Sequence, residues 1–266
     1  MVPTDPESST LTRIAWPADH RAALVVIVHI DAPDLDPQTS GDAPGLDYAA
    51  TGLQRLLRVL ADVDVSATTA WTAAALASCP QLARLAQDAG HELAISHMFG
   101  GASDQEESLL SRISDLPAIG LIEALPRSAL ELTSVTQRTG VRPPGLSWVV
   151  TGAGGDVPVL TADGGEKGIV NIPVSPYWLD IAWLAPDRPL PPSSFLEAWS
   201  LSLAAVRSEG GLMVVVLHPH VSGRLGISSQ IERFLDETIE SGDVWIANAA
   251  EVAEWTRQQR ADRSEE

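Results

Sequence analysis

The chain has almost no cysteine. Cys79 is the single one among 266 residues, so neither an internal disulfide nor a thiolate metal cluster can form. It lies in the apolar stretch "ALASCPQL", which marks a packed thiol rather than a nucleophile. Basic residues are scarce as well: 17 Lys and Arg stand against 35 Asp and Glu, a net charge of −18. Such a surface repels phosphate backbones, so no nucleic-acid partner is expected. No apolar run approaches the ~20 residues of a membrane helix, and no membrane association is expected. The opening "MVPTDPESST" lacks the basic and apolar parts of a secretion signal, which points to a cytoplasmic location. Phe and Tyr number only 3 and 2, against 8 Trp. Trp71, Trp148, Trp178 and Trp183 fall near predicted strand ends, and some of the eight are expected to line an aromatic cavity. Histidine chemistry has to come from His20, His29, His91, His97, His218 and His220.

What is present is an alternation. "RAALVVIVHIDA" reads as a buried strand, and "YAATGLQRLLRVLADV" as an amphipathic helix with Leu53, Leu56, Leu57 and Leu60 on one stripe. "DVSATTAWT" is a strand, "PQLARLAQDAG" a helix closed by Gly90, and "HELAIS" a strand. Asp104–Thr139 reads as a helix interrupted at Pro126. Strands follow near Gly145–Val150 and Gly168–Ile172, with "VVTGAGGDVPVLTADGGEKG" between them reading as loop. The chain closes with helix "SSFLEAWSLSLAAVRSEG", strand "GLMVVVLHPH", helix "SSQIERFLDETIESG", strand "DVWIAN" and a last helix fraying into charge. Strands apolar on both faces and alternating with helices imply an α/β fold with a parallel sheet. About seven strands suit a barrel or a deformed barrel. Residues 1–14 are expected to form a polar arm, 15–258 one domain, and 259–266 a charged tail. In such folds chemistry sits at the C-terminal strand ends, which here carry "HIDAPDLD", "TTAWT", "ISHMFGG", "LSWVV" and "LHPHVSGR".

These strand ends, in this order, resemble the polysaccharide deacetylase (NodB-homology) family, and more closely its cytoplasmic branch of allantoinase-like and cyclic-imide-hydrolase-like proteins. "WPADHRAALVVIVHIDA" is similar to that branch's opening strand, which usually ends Asp-x-Asp-Ala. "CPQLARLAQDAGHELA" resembles the passage into the histidine motif, "RTGVRPPGLSW" the arginine–proline–glycine motif, and "GIVNIPVSPYWLD" the strand before the fourth motif. "LHPHVSGRLGISSQIERFLDETIESGDVWIANAAEVAEW" is the most specific match. The resemblance implies a deformed (β/α) barrel and metal-assisted hydrolysis of a C–N amide bond. It implies an aspartate and two histidines on the metal, a second aspartate as base, and a late-strand histidine as acid.

The chain departs from that pattern. The usual Asp-x-Asp is His29-Ile30-Asp31: Asp31 matches the metal-binding aspartate, and His29 replaces the base. The expected His-x-x-x-His falls on Ser96 and Gly100 when aligned from "GHE". A bulge at Ile95–Ser96 would aim His97 inward, whereas without one Ser96 faces the site. Nothing in "LAIS" marks a bulge, so Ser96 is the expectation. The short stretch between Trp148 and Ile172 lacks an expected helix–strand unit, which leaves the barrel open on one side.

A catalytic metal needs about three protein ligands. Asp31, His29 and His97 would have to converge to supply a rearranged set, so no metal and no other cofactor is expected, with zinc or a similar divalent ion as the alternative. His29 and Asp31, two apart on a strand, share a face, which suits a general base beside a carboxylate. The resemblance makes His218 the acid. Ser96, Arg142, Trp71, Trp148, Trp178 and His220 are the candidate substrate-binding residues, Arg142 through a bidentate contact to a carboxylate. These residues suggest a metal-independent acid–base enzyme acting on a small, largely apolar carbonyl compound. Cyclisation, elimination or isomerisation in a biosynthetic pathway would fit. The alternatives are hydrolysis of an amide, imide or ureide C–N bond, and a non-catalytic binding protein. The resemblance also implies a homo-oligomer.

Overall fold

The computed structural model describes residues 14–31, 48–97, 120–123, 147–152, 155–161, 168–184 and 191–265. Strand β1 (Ala22–Ile30) is buried along its whole length, as its unbroken apolar run requires. Helix α1 (Tyr48–Asp62) follows, then β2 (Thr68–Thr72), the short α2 (Ala73–Ser78), α3 (Pro80–Asp88) and β3 (Glu92–His97). Next come β4 (Gly120–Glu123), β5 (Trp148–Thr151), β6 (Val159–Thr161) and β7 (Ile169–Pro173). The remainder is α4 (Asp180–Leu184), α5 (Pro192–Glu209), β8 (Leu212–Leu217), α6 (Pro219–Ser222), α7 (Leu225–Ser241), β9 (Val244–Ala247) and α8 (Ala249–Glu265). Gly210 and Gly242 end α5 and α7 with φ of 79° and 68°, the left-handed turn that glycine adopts without a steric cost.

The sheet runs β6-β7-β5-β4-β3-β2-β1-β8, parallel throughout except for β6 against β7, and it does not close on itself. β8 occupies one edge of β1. The other edge is shared: β9 pairs with Ala22–Val25 and β2 with Ile27–Ile30. This is the expected α/β deformed barrel, open on one side.

Alternation along β1 separates two cores. Leu24, Val26, Val28 and Ile30 face outward against α1, α5 and α7, where Leu53, Leu56, Phe195, Trp199, Ile231 and Phe234 cover them. Ala23, Val25 and Ile27 face inward with Ala70, Ala94, Val150, Ile172, Val214 and Val216. Helix α8 adds Ala249, Val252 and Ala253 to this inner core. Its Arg257 bonds the Ser147 carbonyl just before β5, so α8 seals the N-terminal, floor end of the barrel.

Two segments differ from expectation. Gly120–Glu123, read as helix, is a strand between β3 and β5. Val159–Thr161, read as loop, is an antiparallel edge strand on β7. The last helix, α8, runs to Glu265. Among the described residues no helix is long and apolar enough to cross a membrane.

Candidate active site

Register builds the site. On the inner face Val25 lies beside Val214 and Ile27 beside Val216. One further step of two brings His29 and His218 side by side at the mouth, because side chains alternate with period two. Their ring centroids are 5.2 Å apart at an interplanar angle of 59°. Both are almost fully buried, at 8% and 7% exposure. They are immediate neighbours and do not face each other across a pocket.

Each histidine has its own anchor. His29 Nε2 and Ser96 Oγ are 2.7 Å apart. His218 Nδ1 donates to Asp180 Oδ1 at 2.6 Å, and its backbone N–H donates to Asp180 Oδ2 at 2.7 Å. Ser222 Oγ donates to the same Oδ2. Asp180 is completely buried at the start of α4, brought there by the contact of Leu179 with Val216 of β8. With Nδ1 committed to a carboxylate, Nε2 is the nitrogen of His218 that exchanges protons. His220 extends the row: its ring meets that of His218 edge-on at 5.9 Å. It does so from α6, since β8 ends at Leu217 and Pro219 starts a helical turn. Asp31, buried beyond the end of β1, accepts from Thr72 Oγ1 at 3.2 Å, and the same hydroxyl caps α2 by accepting from Ala75 N–H.

Ser96 is inward, as expected. Residues Thr68–Thr72 pair with Glu92–Ser96 one to one, so the described ladder holds no bulge at Ile95–Ser96. The side chain of His97, the loop with Gly100, and Arg142 lie outside the described residues.

The four tryptophans considered for the cavity are elsewhere, Trp183 among them against the outer core. Trp71 is paired with Ile30 and buried in the outer core, because it occupies the outward register of β2. Trp178 packs half-buried against the same outer core. Trp148 does face inward, but β5 begins at this residue, which places it on the floor. There it stands by Glu92, whose Oε2 accepts from Thr68 Oγ1 at 2.7 Å and from Ala250 N–H at 3.2 Å. Burial pushes the Glu92 carboxyl up, against hydrogen bonds from Thr68 and the start of α8 that pull it down. This cluster caps α8 and lies at the opposite end of the barrel from the histidines.

The described donors fall short of the aspartate and two histidines that the resemblance implies for a divalent metal, and the side chain of His97 lies outside them. Ser96 stands at the first histidine position and is tied to His29. Asp31 is engaged by Thr72, and His218 turns Nδ1 to Asp180. Among the described residues no three His, Cys, Asp or Glu side chains converge.

Solved structures share this architecture. One, described as a polysaccharide deacetylase from Mycobacterium smegmatis, is 24% identical with a TM-score of 0.74, covering 93% of this chain and 94% of that one. Puue allantoinase is 17% identical with a TM-score of 0.75, again over 93% and 94%. A Pseudomonas aeruginosa PAO1 protein described as a polysaccharide deacetylase is 18% identical with a TM-score of 0.74, over 91% and 93%. No family model matches the chain, and no curated protein matches it. Likeness over nearly the full length of both partners establishes the fold: this chain is built on the barrel of the polysaccharide deacetylases and allantoinase.

Proposed function

We propose that the chain is a metal-independent acid–base enzyme acting on a small carbonyl compound. One observation carries the reading: two buried histidines lie 5.2 Å apart at the C-terminal strand ends. Each is anchored by a different partner, Ser96 for His29 and Asp180 for His218. Two imidazoles held at one point can take a proton from one atom of a substrate and give one to another. Asp180 orients His218 through Nδ1 and leaves Nε2 for the substrate; carrying a proton there, as the imidazolium, His218 is the acid, and His29 is the base. Such a pair supports cyclisation, elimination or isomerisation next to a carbonyl, the kind of step found in biosynthetic routes. A second reading, hydrolysis of an amide, imide or ureide C–N bond, is favoured by the likeness to an allantoinase over 93% of the chain.

A panel of 1,3-dicarbonyl compounds, lactams, imides and ureides, screened with metal-depleted protein, tests both. The expected result is turnover that survives chelation and falls ~10²–10⁴-fold in His29→Ala and in His218→Ala, with the fold intact by circular dichroism. Near-normal turnover in both variants would end the acid–base reading. A full equivalent of zinc or manganese, whose removal abolishes turnover, would restore metal-assisted hydrolysis.

A further inference from the structure

Two of the positions at which the chain departs from the deacetylase pattern are bonded to each other. His29 stands where an aspartate is usual, Ser96 where a histidine is usual, and in the fold their side chains meet at 2.7 Å. They come from β1 and β3, reaching across β2 where it presents the small Ala70, the residue in register with His29. A hydroxyl within hydrogen-bond reach of an imidazole is the arrangement of an activated nucleophile and its base. A second proton carrier, His218, lies beside that base and is oriented by the buried Asp180.

We propose that Ser96 is a nucleophile activated by His29, so that the site performs metal-free acyl transfer on an ester or activated amide. This rests on His29 being the base, as argued above, and names the proton it takes. Ser96 Oγ passes its proton to His29 Nε2 as the oxygen bonds to the carbonyl carbon, and the C=O electron pair moves onto the carbonyl oxygen. The pair returns, the bond to the leaving group breaks, and that group takes the Nε2 proton of His218, which enters the cycle as the imidazolium and is left neutral. Water then attacks the acyl–Ser96 ester and gives a proton to His218, while Ser96 Oγ departs with the proton held by His29. One water is consumed, a carboxylic acid and the protonated leaving group are released, and both histidines return to their starting states.

The test treats the full chain with p-nitrophenyl acetate and, separately, with an alkyl fluorophosphonate, followed by intact-protein mass and peptide mapping. The expected result is one adduct per chain on the peptide bearing Ser96, absent in Ser96→Ala and formed ~10²-fold more slowly in His29→Ala. Ser96→Cys, which keeps a nucleophile of similar size, is expected to retain acylation and guards against a variant that merely misfolds. No adduct with either reagent, or the same adduct in Ser96→Ala, overturns the proposal. Ser96→Ala that still turns over a compound found in the panel, while His29→Ala and His218→Ala do not, removes the nucleophile and leaves the acid–base reading standing. Turnover retained in all three variants removes both.

Discussion

His91 sits at the mouth of no site, yet its ring is buried where a charge is costly. It is 6% exposed, and its Nδ1 accepts the Ala67 N–H at 3.1 Å. Burial lowers its pKa below the ordinary 6.5. A depressed folded value means the neutral ring contributes stability that is full above the unfolded pKa and lost as pH falls through the folded one. His91→Asn keeps an oxygen acceptor for Ala67 and does not titrate. Denaturant midpoints at about pH 7.5 and about pH 5 should therefore show wild type losing ground to the variant in acid. A constant difference between the two would contradict the assignment. Single residues were unevenly legible. His29 and Asp31 declared themselves by chemistry and by strand spacing, and Ser96 through the resemblance. Asp180 did not, although it lies in the quoted stretch "GIVNIPVSPYWLD". The available signal was a lone carboxylate between Leu179 and Ile181, which has to find buried donors. Which donors, 38 and 42 residues away in His218 and Ser222, is decided only by tertiary packing.

Between elements, α1 and α6 approach closely. A Cβ on Gly52 would lie 2.1 Å from the Pro219 carbonyl oxygen, and one on Gly223 would lie 2.3 Å from the Gly52 Cα. Arg55 of the same helix donates to the Gly223 carbonyl. Because α6 starts directly after His218, this contact also fixes where the histidine row ends. Gly52→Ala should cost ~1–3 kcal/mol of stability through overpacking and should depress turnover more than stability alone explains. Gly226→Ala, in the first turn of α7 with nothing within 4 Å, serves as the contrast and should raise the midpoint slightly. Urea melts that rank the two variants the other way round would rule out the close contact. Elements with long periodic patterns were readable, and α1, α3, α5 and α7 lie where their patterns put them. β4 was not, because a strand of four residues with only Leu121 and Ile122 apolar is too short for its period to separate strand from helix. Trp71 and Trp148 misled for a related reason: a tryptophan near a strand end has no mark for face or for end, and register alone assigns them.

Over the whole molecule the open barrel was legible because its evidence is distributed: alternating strands and helices, and a shortened passage between Trp148 and Ile172, all point one way. Charge is distributed too. With 35 acidic residues against 17 basic ones, self-repulsion acts on every part of the folded surface. Local attraction opposes it at few described points. Arg207 and Asp243 pair at 2.7 Å, and this contact holds the Asp243 carboxyl below its ordinary value. Arg233 and Glu237 pair on the exposed face of α7 and contribute little. The unfolded chain spreads the same −18 over a larger volume, so repulsion weighs more heavily on the folded state. Raising sodium chloride from about 0.01 M to about 0.5 M shortens the screening length from ~30 Å to a few Å and relaxes that repulsion. Thermal melts at fixed pH should therefore move upward with salt, by ~2–4 °C for each kcal/mol gained in a chain of this size. Sodium chloride is the salt to use, because sulfate would also strengthen apolar burial and confuse the two effects. A melting temperature that falls with added chloride would mean that attractive pairs outweigh net repulsion, and the acidic surface would then have to be counted as a stabilising network.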